Sequence, residues 1–204
     1  SAEFYPRSTE DLRSTLSRHG LTVDRYSLFV GTIEPRKNID TLLDAYSRLP
    51  IEVRKRWPLV LTGYHGWRNE SIHQRLESAR REGWAFYLGF VPSEDLPLLF
   101  AGARLFTFPS LYEGFGLPVL EAMSSGVPVV CSNSSSLPEV AGNAALMCEA
   151  MDTETLTDLI QRGLEDESWR SSAIEQGLLH AARFSWERCA LETLEVYQAV
   201  VKGE

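Results

Sequence analysis

The sequence predicts an α/β fold with a doubly wound, mostly parallel sheet of six strands and C-terminal helices. Three observations predict it. Short apolar segments alternate with helical stretches of about three turns. Those segments are continuously apolar, as strands covered on both faces require. From Asp152 onward the apolar pattern is purely helical.

The elements follow in order. Residues 1–25 read as a polar lead-in or linker with one helix from Glu10 to His19. Tyr26–Val30 is the first strand, ending at Gly31. Asn38 then caps a helical pattern through Leu42, Leu43, Tyr46 and Leu49, stopped at Pro50. Pro58–Leu61 is the second strand. Asn69 opens an arginine-rich helix that ends at Gly83, and Trp84–Leu88 is the third strand. Ser93 reads as the N-cap of the next helix, where Pro97 is tolerated in the first turn. Leu105–Phe108 is the fourth strand. Gly116–Met123 is a helix stopped by Gly126. Val127–Cys131 and Ala144–Cys148 are the last two strands, with a short helical turn at 137–140 between them. Leu156, Leu159, Ile160 and Leu164 make one helical stripe; Leu191, Leu194, Val196, Tyr197 and Val200 make another. The domain reading is a Rossmann-like unit over 26–165 and C-terminal helices over 166–204.

Composition narrows the function classes. The 204 residues are 44% hydrophobic and 24% charged, which excludes disordered, collagen-like and disulfide-scaffold chains. The net charge is −8, and residues 151–204 carry eleven acidic against five basic residues. An acidic chain without a basic stripe is a poor partner for nucleic acid. No apolar run approaches the roughly 18–20 residues that span a bilayer. Cys131, Cys148 and Cys189 are odd in number and form no CxxC pair, so they read as reduced, mostly buried thiols of an intracellular protein. The four histidines lack ligand spacing, so no metal site is expected.

Open parallel sheets bind ligands beyond the carboxyl ends of their strands, so the strand-to-helix loops are the informative places. These are Gly31–Lys37, Gly63–Trp67, Gly89–Ser93, Ser110–Gly116 and Ser132–Ser136. The first sets Arg36 and Lys37 just before a helix N-terminus. They are either a solvated surface pair or two cations that hold an anion against the helix end. The fourth runs Glu113-Gly114-Phe115-Gly116-Leu117-Pro118-Val119-Leu120-Glu121. Its glycines permit close backbone approach, and its two carboxylates can accept hydrogen bonds from sugar hydroxyls. Otherwise Glu113 is a helix-dipole partner and Glu121 a solvated helix residue, although Glu121 sits in an otherwise apolar helix. No dinucleotide fingerprint, phosphate loop or nucleophile elbow occurs.

Four segments carry a resemblance. They are Phe29-Val30-Gly31-Thr32-Ile33-Glu34-Pro35-Arg36-Lys37-Asn38, Leu88-Gly89-Phe90-Val91-Pro92, the run from Phe108 to Met123, and Gly126-Val127-Pro128-Val129-Val130 continued at Leu137-Pro138-Glu139-Val140. In that order they resemble the C-terminal, donor-binding half of retaining glycosyltransferases of family 4, with the GT-B fold of two Rossmann-like halves. The resemblance covers roughly residues 26–165.

It implies roles residue by residue. Arg36 and Lys37 would grip the diphosphate of a nucleotide-sugar donor, and Glu113 would bind hydroxyls of the transferred sugar; these three form the implied catalytic set. Gly31, Thr32, Gly114, and the amides of Phe115, Gly116 and Leu117 would line the donor. Glu121 would bind the ribose, and the backbone around Val91 would border the base. No metal and no cofactor is implied. Thr32 departs from the Arg that many members carry after the glycine, and Ser134 and Ser135 stand where glycines often follow the fifth strand.

The partners expected are a nucleotide sugar and an absent N-terminal half holding a glycan or lipid-linked acceptor. The isolated half is expected to be inactive. The last helix of such enzymes often crosses to the other half. The location expected is cytoplasmic, peripheral to the inner membrane through the absent half. The form of the first loop resembles polysaccharide mannosyltransferases, which points to GDP-mannose, with a UDP-sugar as the alternative. The rival function is a non-catalytic nucleotide- or partner-binding module.

Overall fold

The computed structural model describes residues 3–66 and 70–202. Six parallel strands form one sheet: β1 Ser27–Val30, β2 Leu59–Thr62, β3 Ala85–Tyr87, β4 Leu105–Phe108, β5 Val129–Ser132 and β6 Ala145–Cys148. Their order is β3-β2-β1-β4-β5-β6. Leu28 pairs in register with Val60 on one side and Phe106 on the other. The order reverses between β1 and β4, where a doubly wound sheet opens its crevice. The Rossmann-like expectation therefore holds, and the continuous apolar strands have their cause. β2, β4 and β5 are buried at every position.

Ten α-helices among the described residues cover the sheet. They are α1 Thr9–Arg18, α2 Ile39–Arg48, α3 Ile51–Arg56, α4 Glu70–Glu82, α5 Leu96–Ala101, α6 Leu117–Ser124, α7 Leu137–Ala141, α8 Thr153–Glu165, α9 Glu167–Ala181 and α10 Trp186–Lys202. α2 packs against α4 and α8 in one layer; α1, α5, α6 and α9 pack in succession in the other. Phe29, Phe106 and Phe108 stack in the core, with centroids 5.9 Å apart for Phe29–Phe108 and 5.6 Å for Phe106–Phe108.

Helix α1 begins with a capping box. Ser8 Oγ accepts from Asp11 N, and Asp11 Oδ2 accepts from Ser8 N, both at 3.3 Å. Its Leu12 and Leu16 are buried, so this part of the lead-in is docked on the domain.

Three local readings change. Ser93 is not an N-cap: α5 starts at Leu96 after a turn, and Ser93 Oγ donates to Glu94 instead. Pro50 not only ends α2 but starts α3, a helix the apolar pattern of six residues is too short to announce. α9 also escapes a search for apolar stripes, because its buried face is Arg170, Ala173, Gly177 and Ala181. A Cβ at Gly177 would lie 3.4 Å from Met123 Cγ, so the small residues let α9 approach α6. The proposed cap at Asn69, and Trp67 of the second loop, lie outside the described residues.

Helix α10 has no buried residue; Trp186 and Tyr197 are about two-thirds exposed, at 68% and 66%. No helix among the described residues is long and apolar enough to cross a membrane. Cys131 and Cys148 are buried and Cys189 is exposed; burial pushes the Cys131 thiol up to about 12.

Candidate functional site

At the end of β1 the chain turns through Gly31. A Cβ there would lie 3.3 Å from Phe29 Cζ and 3.4 Å from Lys37 Cε, so the loop closes tightly over the first strand. Thr32 packs against the loop after β2, where a Cβ on Gly66 would lie 3.0 Å from Thr32 Cγ2. Pro35–Lys37 then form a 3₁₀ turn that ends at Asn38 in the left-handed region, φ 57°. Asn occupies that region more readily than most residues.

Asn38 stands at the N-cap position of α2, but its side chain does not cap the helix. Its Nδ2 donates to Pro109 O at 3.0 Å and to Ala150 O at 2.6 Å. Thr41 Oγ1 donates to Asn38 Oδ1 at 2.7 Å and fixes the orientation of the amide. The residue expected to cap a helix thus ties the β1 loop to the segments after β4 and β6. Arg36 and Lys37 accordingly lie within a turn before α2.

Both cations meet Glu113 from the β4 loop. Lys37 Nζ lies 2.6 Å from Glu113 Oε1, and Arg36 Nη1 lies 2.8 Å from Oε2. Arg36 Nη1 also donates to Tyr112 O at 2.8 Å, and Leu111 N donates to Arg36 O at 2.9 Å. On its other side Arg36 is held by Glu34 through Nε at 3.1 Å and Nη2 at 2.7 Å. Lys37 is buried, with Nζ 4.8 Å from the centre of the Phe108 ring. A solvated pair is therefore excluded for Lys37. Two carboxylates answer two cations, so the cluster is formally neutral.

Electrostatics follow from this geometry. Burial opposes ionisation of Glu113, but the hydrogen bonds and charges of Lys37 and Arg36 outweigh it and hold its carboxyl below the usual range. Burial also works against the charge on Arg36; Glu113 and Glu34 reverse that and raise its pKa.

The β4 loop is held from the far side by the loop after β5. Ser135 Oγ accepts from Glu113 N at 2.8 Å. Ser136 Oγ donates to Glu113 O at 3.0 Å and to Phe115 O at 2.7 Å. Gly116 has φ 108°, and a Cβ there would lie 2.7 Å from Leu137 Cδ2. Gly114 differs: a Cβ would meet nothing within 4 Å. Gly116 then caps α6, whose first turn contains Pro118. Phe115 and Leu117 are partly exposed, at 42% and 44%.

Glu121 stands on α6, half-buried and with no hydrogen bond or ion pair to its carboxylate among the described residues. Burial pushes its carboxyl above the usual range. Val91 lies between β3 and α5 with its side chain buried; β2 and β1 stand between β3 and β4, the strand that precedes the Glu113 loop. Glu34, Ser135 and Ser136 were not among the expected site residues. The Ser134–Ser136 run was visible as a composition feature, and Glu34 as a carboxylate two positions from Arg36.

Comparison with known proteins shows the family. The family model described as "Glycosyl transferases group 1" matches residues 17–179. The O-antigen chain mannosyltransferase B of Escherichia coli is 50% identical over 198 residues, covering 97% of this chain and 52% of that protein. The serotype-specific mannosyltransferase WbdA of Escherichia coli is 35% identical over 200 residues, covering 96% of this chain and 24% of that protein. The chain thus spans about half the length of one of these relatives and a quarter of the other. Among solved structures, sucrose-phosphate synthase from Thermosynechococcus elongatus superposes with a TM-score of 0.80 at 26% identity, over 100% of this chain and 51% of that one. The C-terminal domain of a glycosyl transferase group 1 family protein from Francisella tularensis matches in fold with a TM-score of 0.74 at 20% identity, over 89% of this chain and 95% of that one.

Proposed function

The chain belongs to the group 1 family of glycosyl transferases, and from that membership we propose that it is the donor-binding half of a retaining glycosyltransferase. The enzyme moves a hexose, mannose, from GDP-mannose to a glycan or lipid-linked acceptor held by the other half. The observation that carries this reading is the convergence of Lys37 and Arg36 on Glu113, from loops 76 and 77 residues apart in sequence. The mannosyltransferase relatives support the choice of sugar.

The residues divide the work. Breaking the bond between the sugar carbon and the diphosphate leaves the electron pair on a phosphate oxygen. Lys37 spends one of its three N–H donors on Glu113, which leaves two for oxygens of the diphosphate. Arg36 and the N-terminus of α6 add positive potential. Glu113 holds the two cations while its remaining lone pairs accept from sugar hydroxyls. The half-buried Glu121 takes the ribose hydroxyls, which replace the water its carboxylate loses. The acceptor hydroxyl forms the new bond to carbon and passes its proton to the departing diphosphate oxygen, which has gained the electron pair. The phosphate charge is met without a bound metal ion. The isolated half binds donor but does not turn it over, and the whole enzyme works in the cytoplasm, peripheral to the inner membrane.

Titration calorimetry of this chain with GDP, UDP and GDP-mannose tests the reading. Diphosphate-dependent binding that Glu121→Ala abolishes is expected, with GDP preferred. Binding that ignores the diphosphate and survives Glu121→Ala would instead favour a non-catalytic module.

A further inference from the structure

The geometry points to Ser136 as a positioning residue that aims the backbone amides of Gly114 and Gly116 at an anion; this rests on the nucleoside-diphosphate reading above. Ser136 Oγ contacts two carbonyls, Glu113 O at 3.0 Å and Phe115 O at 2.7 Å. A hydroxyl has one proton, so it is shared between carbonyls two residues apart and fixes both peptide planes. In a trans peptide the C=O and the following N–H point in opposite directions. The described residues contain no cis bond. With the carbonyls of Glu113 and Phe115 turned to Ser136, the N–H groups of Gly114 and Gly116 turn to the opposite side of the loop.

Gly114 also has free space beside its Cα, where a Cβ would meet no atom within 4 Å. Neighbouring amides presented on one side of a turn make a concavity that favours anions. The N–H of Glu113 does not join them, because Ser135 Oγ takes it at 2.8 Å. Ser135 itself sits at φ 51°, a region that costs a non-glycine residue energy and that surrounding contacts must hold. The two serines thus sort the amides of the loop into one that is used internally and two that are presented. The amides matter because Glu34 and Glu113 already neutralise the two cations. Ser136 occupies the N-cap position of α7 but makes no side-chain cap, so removing its hydroxyl does not uncap that helix.

The test measures ¹⁵N order parameters of Gly114 and Gly116, and calorimetric affinity for GDP and UDP, in the wild-type chain, Ser136→Ala and Ser136→Thr. Ser136→Gly stands in if the Ala variant does not fold. The expected result is lower order at both amides and about tenfold weaker binding in Ser136→Ala, with an unchanged thermal midpoint and recovery of both in Ser136→Thr. Unchanged order in Ser136→Ala would overturn the clamp. Lower order with unchanged affinity would overturn the anion role of the amides. A wild-type chain that binds neither GDP nor UDP would overturn the nucleotide reading and the anion role with it; the order parameters distinguish that result from failure of the clamp.

Discussion

Lys37 Nζ and Glu113 Oε1 lie 2.6 Å apart, both residues buried, at the point where strand order reverses between β1 and β4. A buried ion pair is costly to desolvate and gives weak support for stability on its own. Here it fixes two loops to each other at the mouth of the crevice. Its value lies in the site it holds together.

Lys37→Ala removes one cation and leaves Glu113 with Arg36. Turnover of the proposed full-length transferase is expected to fall by about a hundredfold or more, the usual effect of losing one donor to a developing anion. Stability of this chain is expected to fall by only about 1–2 kcal/mol, because Arg36 still answers the carboxylate. Initial-rate kinetics and thermal melts check the two halves. Unchanged turnover contradicts the phosphate role.

The two glutamates respond to pH with opposite signs. The folded-state pKa of Glu113 lies below its ordinary value of 4.5, so its contribution is present above that value and lost as pH falls through the folded one. Glu113→Gln should be less stable than wild type at pH 7, and the gap should close on acidification below pH 4.5. The folded pKa of Glu121 is raised, so its ionisation opposes folding as pH rises from 4.5 through the folded value. Glu121→Gln should therefore match wild type in acid and be more stable at pH 7. Urea melts across this range decide both, and a Glu121→Gln chain no more stable at pH 7 contradicts the second.

Asn38 serves through both its backbone and its amide. Asn38→Gly keeps the left-handed turn but leaves Pro109 O and Ala150 O without their donor, which should cost about 1–3 kcal/mol. Asn38→Ala adds the left-handed penalty of about 1–2 kcal/mol. Urea denaturation should rank wild type above Gly above Ala; equal Gly and Ala variants contradict the strain argument.

The two loop glycines are not equivalent. Gly116→Ala meets Leu137 and a positive φ together, and should cost about 2 kcal/mol or more. Gly114→Ala has open space and should change stability by less than about 0.5 kcal/mol. Thermal melts separate them, and a Gly114→Ala variant as unstable as Gly116→Ala contradicts the geometry.

Much of this was legible in the residues. Strands of continuous apolar side chains, and stops at Gly83 and Gly126, follow from local chemistry. Both glycines adopt positive φ, 81° and 74°. Elements decided by packing were not legible. α9 buries small residues and an arginine rather than a stripe, and α3 is too short to show a period. In the site, Arg36, Lys37 and Glu113 could be named from their loops, but their mutual ion pairs join segments 76 and 77 residues apart. The clamp at Ser135 and Ser136 likewise depends on two strands lying side by side. Asn38 shows the limit most clearly: Asn before a helix suggests a cap, and tertiary partners took its amide instead.

The most direct measurement is a crystal structure of this chain with GDP-mannose. The diphosphate is expected within hydrogen-bond reach of Arg36, Lys37 and the amides before α6, with the mannose hydroxyls on Glu113 and the ribose on Glu121. A nucleotide seated elsewhere on the domain, with the β1 and β4 loops untouched, would contradict it.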